Sequence, residues 1–132
     1  MQEIISQITK EIKKDLLPKL KLFKNFKITK IYRGDEVYLG YYKYNSYEEP
    51  IIKLNIPEIK ECISDKAPLD LIIETTILHE LGHAIQEYKG KEFDEEKAED
   101  FAYNYYYERI IRIWKNINMA LVFLKVSKSI IN

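Results

Sequence analysis

One cysteine, two histidines, four glycines and four prolines are all that 132 residues contain of the types that staple, ligate or bend a chain. With Cys62 alone an internal disulfide framework is excluded, and a reducing compartment fits. Net charge is lacking too. The 21 acidic side chains balance 21 basic ones, so no global field draws the chain to nucleic acid or to an anionic membrane. No apolar run reaches the length of a membrane span, and the most apolar tail segment, 119–124, is cut by Lys125. Residues 1–17 carry charge throughout and lack the apolar stretch of a signal peptide. Repeats and low-complexity segments are missing as well. These absences imply a soluble, cytoplasmic protein folded as a single domain over residues 1–132. A chain of this length can bury a core without disulfides or a structural metal.

What is present divides by period. Ile4, Ile5, Ile8, Ile12 and Leu16 recur at helical spacing, which predicts an amphipathic helix over residues 2–16 that Pro18 ends or kinks. From Lys27 the pattern turns to β-branched and aromatic residues. Segments 28–33 and 36–44, separated by Gly34 and Asp35, read as a hairpin. A loop at 45–49, a third strand at 51–56 and a short helical piece at 57–62 follow, then a loop at 64–67. Pro68 and Asp70 suit the start of a helix that runs to about Lys89, with Gly90 as its stop. A further helix starts near Asp94. Its periodic stretch exceeds an ordinary helix, so a break is expected at 116–118 and a last helix over 119–130. The predicted class is α+β, a small three-stranded sheet with an N-terminal helix, an active-site helix, a glutamate helix and a C-terminal helix around it.

The chemistry lies in His79-Glu80-Leu81-Gly82-His83. On a helix, positions i and i+4 share a face, so both imidazoles can reach one metal ion. Neutral imidazole suits zinc, and three protein ligands leave a fourth position for water. Glu80 stands beside the histidines, placed to take a proton from that water as general base. The pentapeptide uses the entire histidine content of the chain. Leu78, Leu81, Ala84 and Ile85 surround it with apolar residues, as a buried active-site helix requires. Gly82 costs about 1 kcal/mol in a helix interior, which makes sense where something must approach closely.

A third ligand must be a carboxylate, since no third histidine exists. The acidic run from Asp94 to Asp100 supplies candidates. Here the chain resembles the gluzincins, HExxH metallopeptidases whose third ligand is a glutamate on a following helix. Glu95-Glu96-Lys97-Ala98-Glu99-Asp100-Phe101-Ala102 matches their E-x-x-A-D/N segment in order, with Glu99 in place of the usual Asp or Asn. In size the likeness is to the archaeal minigluzincins, and it covers residues 28–107. The resemblance implies Glu95 as third ligand and Glu99 as the carboxylate that holds His79 from behind, fixing its tautomer. A shifted register would instead pair Glu96 with Asp100. The short interval between His83 and Glu95 makes the chain's return tight, so Glu99 stays a rival ligand.

The same resemblance makes strand 51–56 an edge on which an extended peptide or protein substrate pairs. An oxyanion donor is expected among Tyr103, Tyr105, Tyr106 and Tyr107, and Tyr106 lies on the Glu95 face. Cys62 reads as a buried, inert side chain sooner than as a thiolate switch. Two functions from different classes follow. One is a zinc-dependent endopeptidase, latent as encoded if a tail helix at 119–130 lies across the cleft. The other is a catalytically silent zinc-binding module that serves a protein partner. Trp114, Met119, Leu121, Val122 and Phe123 motivate the second, because they exceed what a minimal core needs.

Overall fold

The computed structural model describes residues 1–43, 49–63 and 68–131, the side chains of 119–131 excepted. Seven elements follow in order: α1 (Gln2–Leu20), β1 (Lys27–Ile31), β2 (Gly40–Lys43), β3 (Ile51–Asn55), α2 (Ile56–Cys62), α3 (Leu69–Tyr88) and α4 (Glu95–Ile131). The α+β class is the one expected. The loops expected at 45–49 and 64–67 fall largely outside the described residues.

α1 forms because Ile5, Ile8, Ile12 and Leu16 make one buried stripe. It runs past the expected end, with Pro18 inside its last turn, and stops at Lys21 in the left-handed conformation at φ 56°. A proline so near the end removes one amide donor from a helix that is almost over.

The expected hairpin does not form. The sheet order is β1-β3-β2, with β1 parallel and β2 antiparallel to β3. The cause is Asn55, fully buried at the end of β3. Its amide oxygen accepts from the Arg33 N–H at 3.0 Å, and its amide nitrogen donates to the carbonyls of Arg33 at 3.2 Å and Tyr38 at 2.9 Å. Its own N–H reaches the Leu39 carbonyl at 2.8 Å. One side chain thus satisfies the backbone of the connection between β1 and β2 and lays that connection over the end of β3. Gly34 and Asp35 turn within it and do not join paired strands.

The expectation that strand 51–56 is a sheet edge is corrected by the same order. Ile51 to Asn55 pair with Lys27 to Ile31 on one side, and Ile51 to Leu54 pair with Lys43 to Gly40 on the other. Pro50 and Pro57 flank the strand. Both stand outside the paired residues, where a missing N–H costs no ladder bond. Ile52 and Leu54 are fully buried, as a central strand requires, and they join Phe26, Ile59, Ile73, Ile77, Leu78 and Leu81 in the core.

α3 lies almost wholly inside the domain, from Ile72 to Gln86. Gly90, at φ 67°, follows its end as expected. α4 returns along α3, burying Ala98, Ala102 and Tyr105. The Tyr105 hydroxyl donates to Asp15 of α1 at 2.9 Å, and Arg109 pairs with Glu74 of α3. The break expected at 116–118 is not there, and α4 continues to Ile131. Two asparagines cost a helix only tenths of a kcal/mol each, and no proline or glycine intervenes. A separate tail helix folded back over the cleft is therefore not found. Met119 stands roughly 36 Å along the axis from Glu95. Among the described residues no helix is long and apolar enough to cross a membrane.

Candidate metal centre

α3 and α4 cross where both are small. A Cβ added at Gly82 would stand 3.0 Å from Ala98 Cα and 3.2 Å from its Cβ. Only a glycine lets the α4 backbone come this near, and that closeness brings the first turn of α4 over the two histidines. A similar approach occurs on the other side. A Cβ at Gly40 would stand 2.8 Å from the Lys53 carbonyl oxygen and 2.9 Å from Thr76 Cγ2, so β2 is seated tightly against α3.

Between these approaches three donor groups converge. The Glu95 carboxylate lies 3.0 Å from His79 Nε2 by one oxygen and 2.9 Å from His83 Nε2 by the other. The two Nε2 atoms are 3.1 Å apart. Ligand pairs around a tetrahedral zinc stand about 3.3 Å apart, given bonds of about 2.0–2.1 Å. The donor set His79, His83 and Glu95 is thus of the right chemistry and spread to hold a metal ion.

Glu99 stands elsewhere. Its carboxylate meets His79 Nδ1 at 2.5 Å, behind the ring. A proton on Nδ1 leaves the Nε2 lone pair facing the donor cluster. The two rival acids therefore occupy different places, Glu95 in front of the imidazoles and Glu99 behind one of them. Glu96 and Asp100 are exposed, and the structure brings the register of Glu95 and Glu99 to His79.

His83 has its own support, from residues that sequence reasoning missed. Gln86 is buried and its amide oxygen lies 3.1 Å from His83 Nδ1. The same amide pairs with the Asp94 backbone, taking its N–H at 3.1 Å and donating to its carbonyl at 2.8 Å. Gln86 thus orients one histidine and ties down the residue that precedes Glu95. Its position three residues after His83, on the same helical face, was the available signal. Phe93 stacks on the His83 ring, with centroids 3.8 Å apart and planes 7° from parallel. Nothing in its sequence position marks that contact.

Glu80 is buried beside the cluster and opens onto a cleft of about 420 Å³. Burial pushes its carboxyl up to about 7, His79 opposes the rise and Glu95 adds to it. Residues 37–40, Thr75, Thr76 and Tyr103 line the cleft together with His79, Glu95 and Glu99. Tyr106 is not among the lining residues; it lies against Arg109 instead. The expectation for Tyr106 had the face right and the height wrong, since α4 carries it roughly 16 Å along the axis from Glu95. Among the described residues, the tyrosines at the cleft are Tyr38 and Tyr103. Cys62 is exposed at the end of α2, not buried as expected, and takes no part in the lining. No family model, curated protein or solved structure matches the chain.

Proposed function

We propose that the chain is a zinc-dependent peptidase of the gluzincin type. The observation that carries this reading is the Glu95 carboxylate set between the Nε2 atoms of His79 and His83. Zinc held by these three residues would supply Lewis acidity, lowering the pKa of a bound water and polarising a carbonyl oxygen. Glu80 acts as general base. Its carboxylate, raised towards neutrality by burial, takes the proton as water attacks the peptide carbonyl and returns it to the departing amine. Glu99 and Gln86 hold the two imidazoles with their Nδ1 atoms turned away from the site. Among the described residues, Tyr38 and Tyr103 are the tyrosines at the cleft able to donate to a developing oxyanion. Residues 37–40, which lead into the edge strand β2, replace strand 51–56 as the place where an extended peptide lies, because they border the cleft.

The test has two parts. Reconstituted protein should hold one zinc per chain and cut a mixed peptide library. Glu80→Gln should keep the zinc while hydrolysis falls about 10²–10⁴-fold. A wild-type chain that takes up zinc and cuts nothing would favour the silent zinc-binding module, a reading supported by the exposed apolar side chains of α4.

A further inference from the structure

Past Arg109, α4 stays beside α1 through the Arg112 pair with Asp15 at 3.3 Å and presents its other sides outward. Every residue from 110 to 117 is exposed, although five of the eight are isoleucine or tryptophan. Seven of the ten large apolar side chains exposed among the described residues belong to this helix. Their spacing is not random. Tyr107, Ile110, Trp114 and Ile117 follow one another at intervals of three and four, with exposures of 58, 38, 65 and 55%. The sequence continues the alternation at Leu121, Leu124 and, past Lys128, Ile131. A separation of helices at 116–118 would have interrupted this series; the unbroken α4 carries it through more than three heptads.

We infer that this seam docks against α4 of a second copy of the chain, as a helix-to-helix coil. An apolar stripe of period 3.5 is matched by another helix of the same period, and each copy supplies one. A pair built from one seam used twice is self-complementary about a two-fold axis. The seam also lies on a different side of α4 from Ala98, Ala102 and Tyr105, so the contact with α3 stays intact on pairing. The size approaches what pairing needs. The exposed apolar side chains from 107 to 117, seam and flanks together, present roughly 600 Å², against the ~800 Å² per partner of a standard interface. The inference is independent of the reading of the metal centre.

The experiment is sedimentation of the full-length chain from about 1 to 100 μM, with tryptophan emission read in parallel. Trp114 is the only tryptophan and stands on the seam, so its emission should move to shorter wavelength as chains associate. Ile110→Glu with Ile117→Glu should weaken association at least about 100-fold and hold Trp114 emission at the solvent-exposed wavelength. Ile117→Lys alone should weaken it about 10-fold. Lys115→Glu, off the seam, should leave association unchanged, and circular dichroism should show all variants folded. A chain that stays monomeric at 100 μM overturns the inference, as does association that the double variant retains. A monomer that floats with phosphatidylcholine–phosphatidylglycerol vesicles also overturns it, giving the face to a membrane surface instead.

Discussion

From Glu95 to Arg109 α4 lies along α3 and buries Ala98, Ala102 and Tyr105, whereas from Ile110 to Ile117 every side chain of the same helix is exposed, although Arg112 pairs with Asp15 of α1. The larger apolar side chains are on the exposed half. The packed half is lined by alanines, facing a glycine on α3. Burial along this helix therefore follows the distance between backbones and not the size of the apolar residue. Distance is set by what the site needs. Glu95 can stand between His79 and His83 only if the two helices nearly touch, and methyl groups are the largest side chains that such a crossing admits. The exposed half has no such constraint, and its large side chains are arranged for a partner of the same period.

The largest effect that would sharpen this contrast lies in the first turn of α4. Glu95→Ala should weaken zinc affinity by more than about 100-fold, and Glu99→Ala by about 10–100-fold, because Glu99 acts through the His79 ring. Competition with a chelator reads both. The reverse order would move the ligand role to Glu99 and place the metal behind His79. Next comes the ion pair at the end of the packed half. Arg109→Ala leaves the Glu74 carboxylate buried without its partner, at a cost of about 3 kcal/mol at neutral pH. The sign of the pH dependence follows from Glu74. Burial raises its carboxyl above the ordinary value and Arg109 opposes the rise, so removing Arg109 raises it further. The deficit should be absent below the ordinary carboxylate range and complete above the raised value. Urea unfolding at several pH values checks it, and a deficit that grows in acid would show that Glu74 is not the cause.

Gly82→Ala separates two opposed expectations. Helix propensity alone predicts stabilisation by up to about 1 kcal/mol. A Cβ 3.0 Å from Ala98 Cα predicts the opposite, since backbone must move, and we expect a net loss of about 1–2 kcal/mol. Zinc affinity should fall with it as Glu95 is carried away from the histidines. A smaller change should follow at the clasp between the helices. Gln86→Leu removes the acceptor at His83 Nδ1 and frees the Asp94 backbone, and zinc affinity should fall about 10-fold. Gln86→Glu keeps the acceptor and should recover part of the loss. Equal losses in the two variants would mean that Gln86 only ties the loop.

Much of this was legible in the residues, and the failures share one cause. The helices could be read from their stripes, Gly90 as a stop, and the unusual Gly82 as a point of close approach. These signals are local. Strand partners are not, because the choice between pairing β1 with β2 and inserting β3 rests on Asn55, whose bonds span 17 to 22 positions. Gln86 and Phe93 were missed for the same reason, since their roles depend on where the chain returns after Lys89. Tyr106 failed on a coordinate that periodicity lacks. Helical spacing shows which face a residue is on, and only the crossing point of α3 and α4 shows which turn of that face meets the cleft.

The smallest effect is the one that tests the exposed half directly. Ile111 is 53% exposed and sits one position beside Ile110, flanking the seam without belonging to it. Its side chain gains little from burial in a single chain, so Ile111→Ser has only helix propensity to change, and serine is close to isoleucine there. We expect the unfolding free energy, measured at low protein concentration, to shift by no more than about 0.5 kcal/mol, with zinc uptake unchanged. Gly82→Ala, in the packed region, alters about as few atoms and should cost several times more. If Ile111→Ser instead costs as much as Gly82→Ala in dilute monomer, then the Ile111 side of α4 is held against its own domain in solution. The contrast between the two halves would then disappear, and with it the reason for a partner. If the cost is small when dilute and grows as protein is added, the flank of the seam is being covered by another chain.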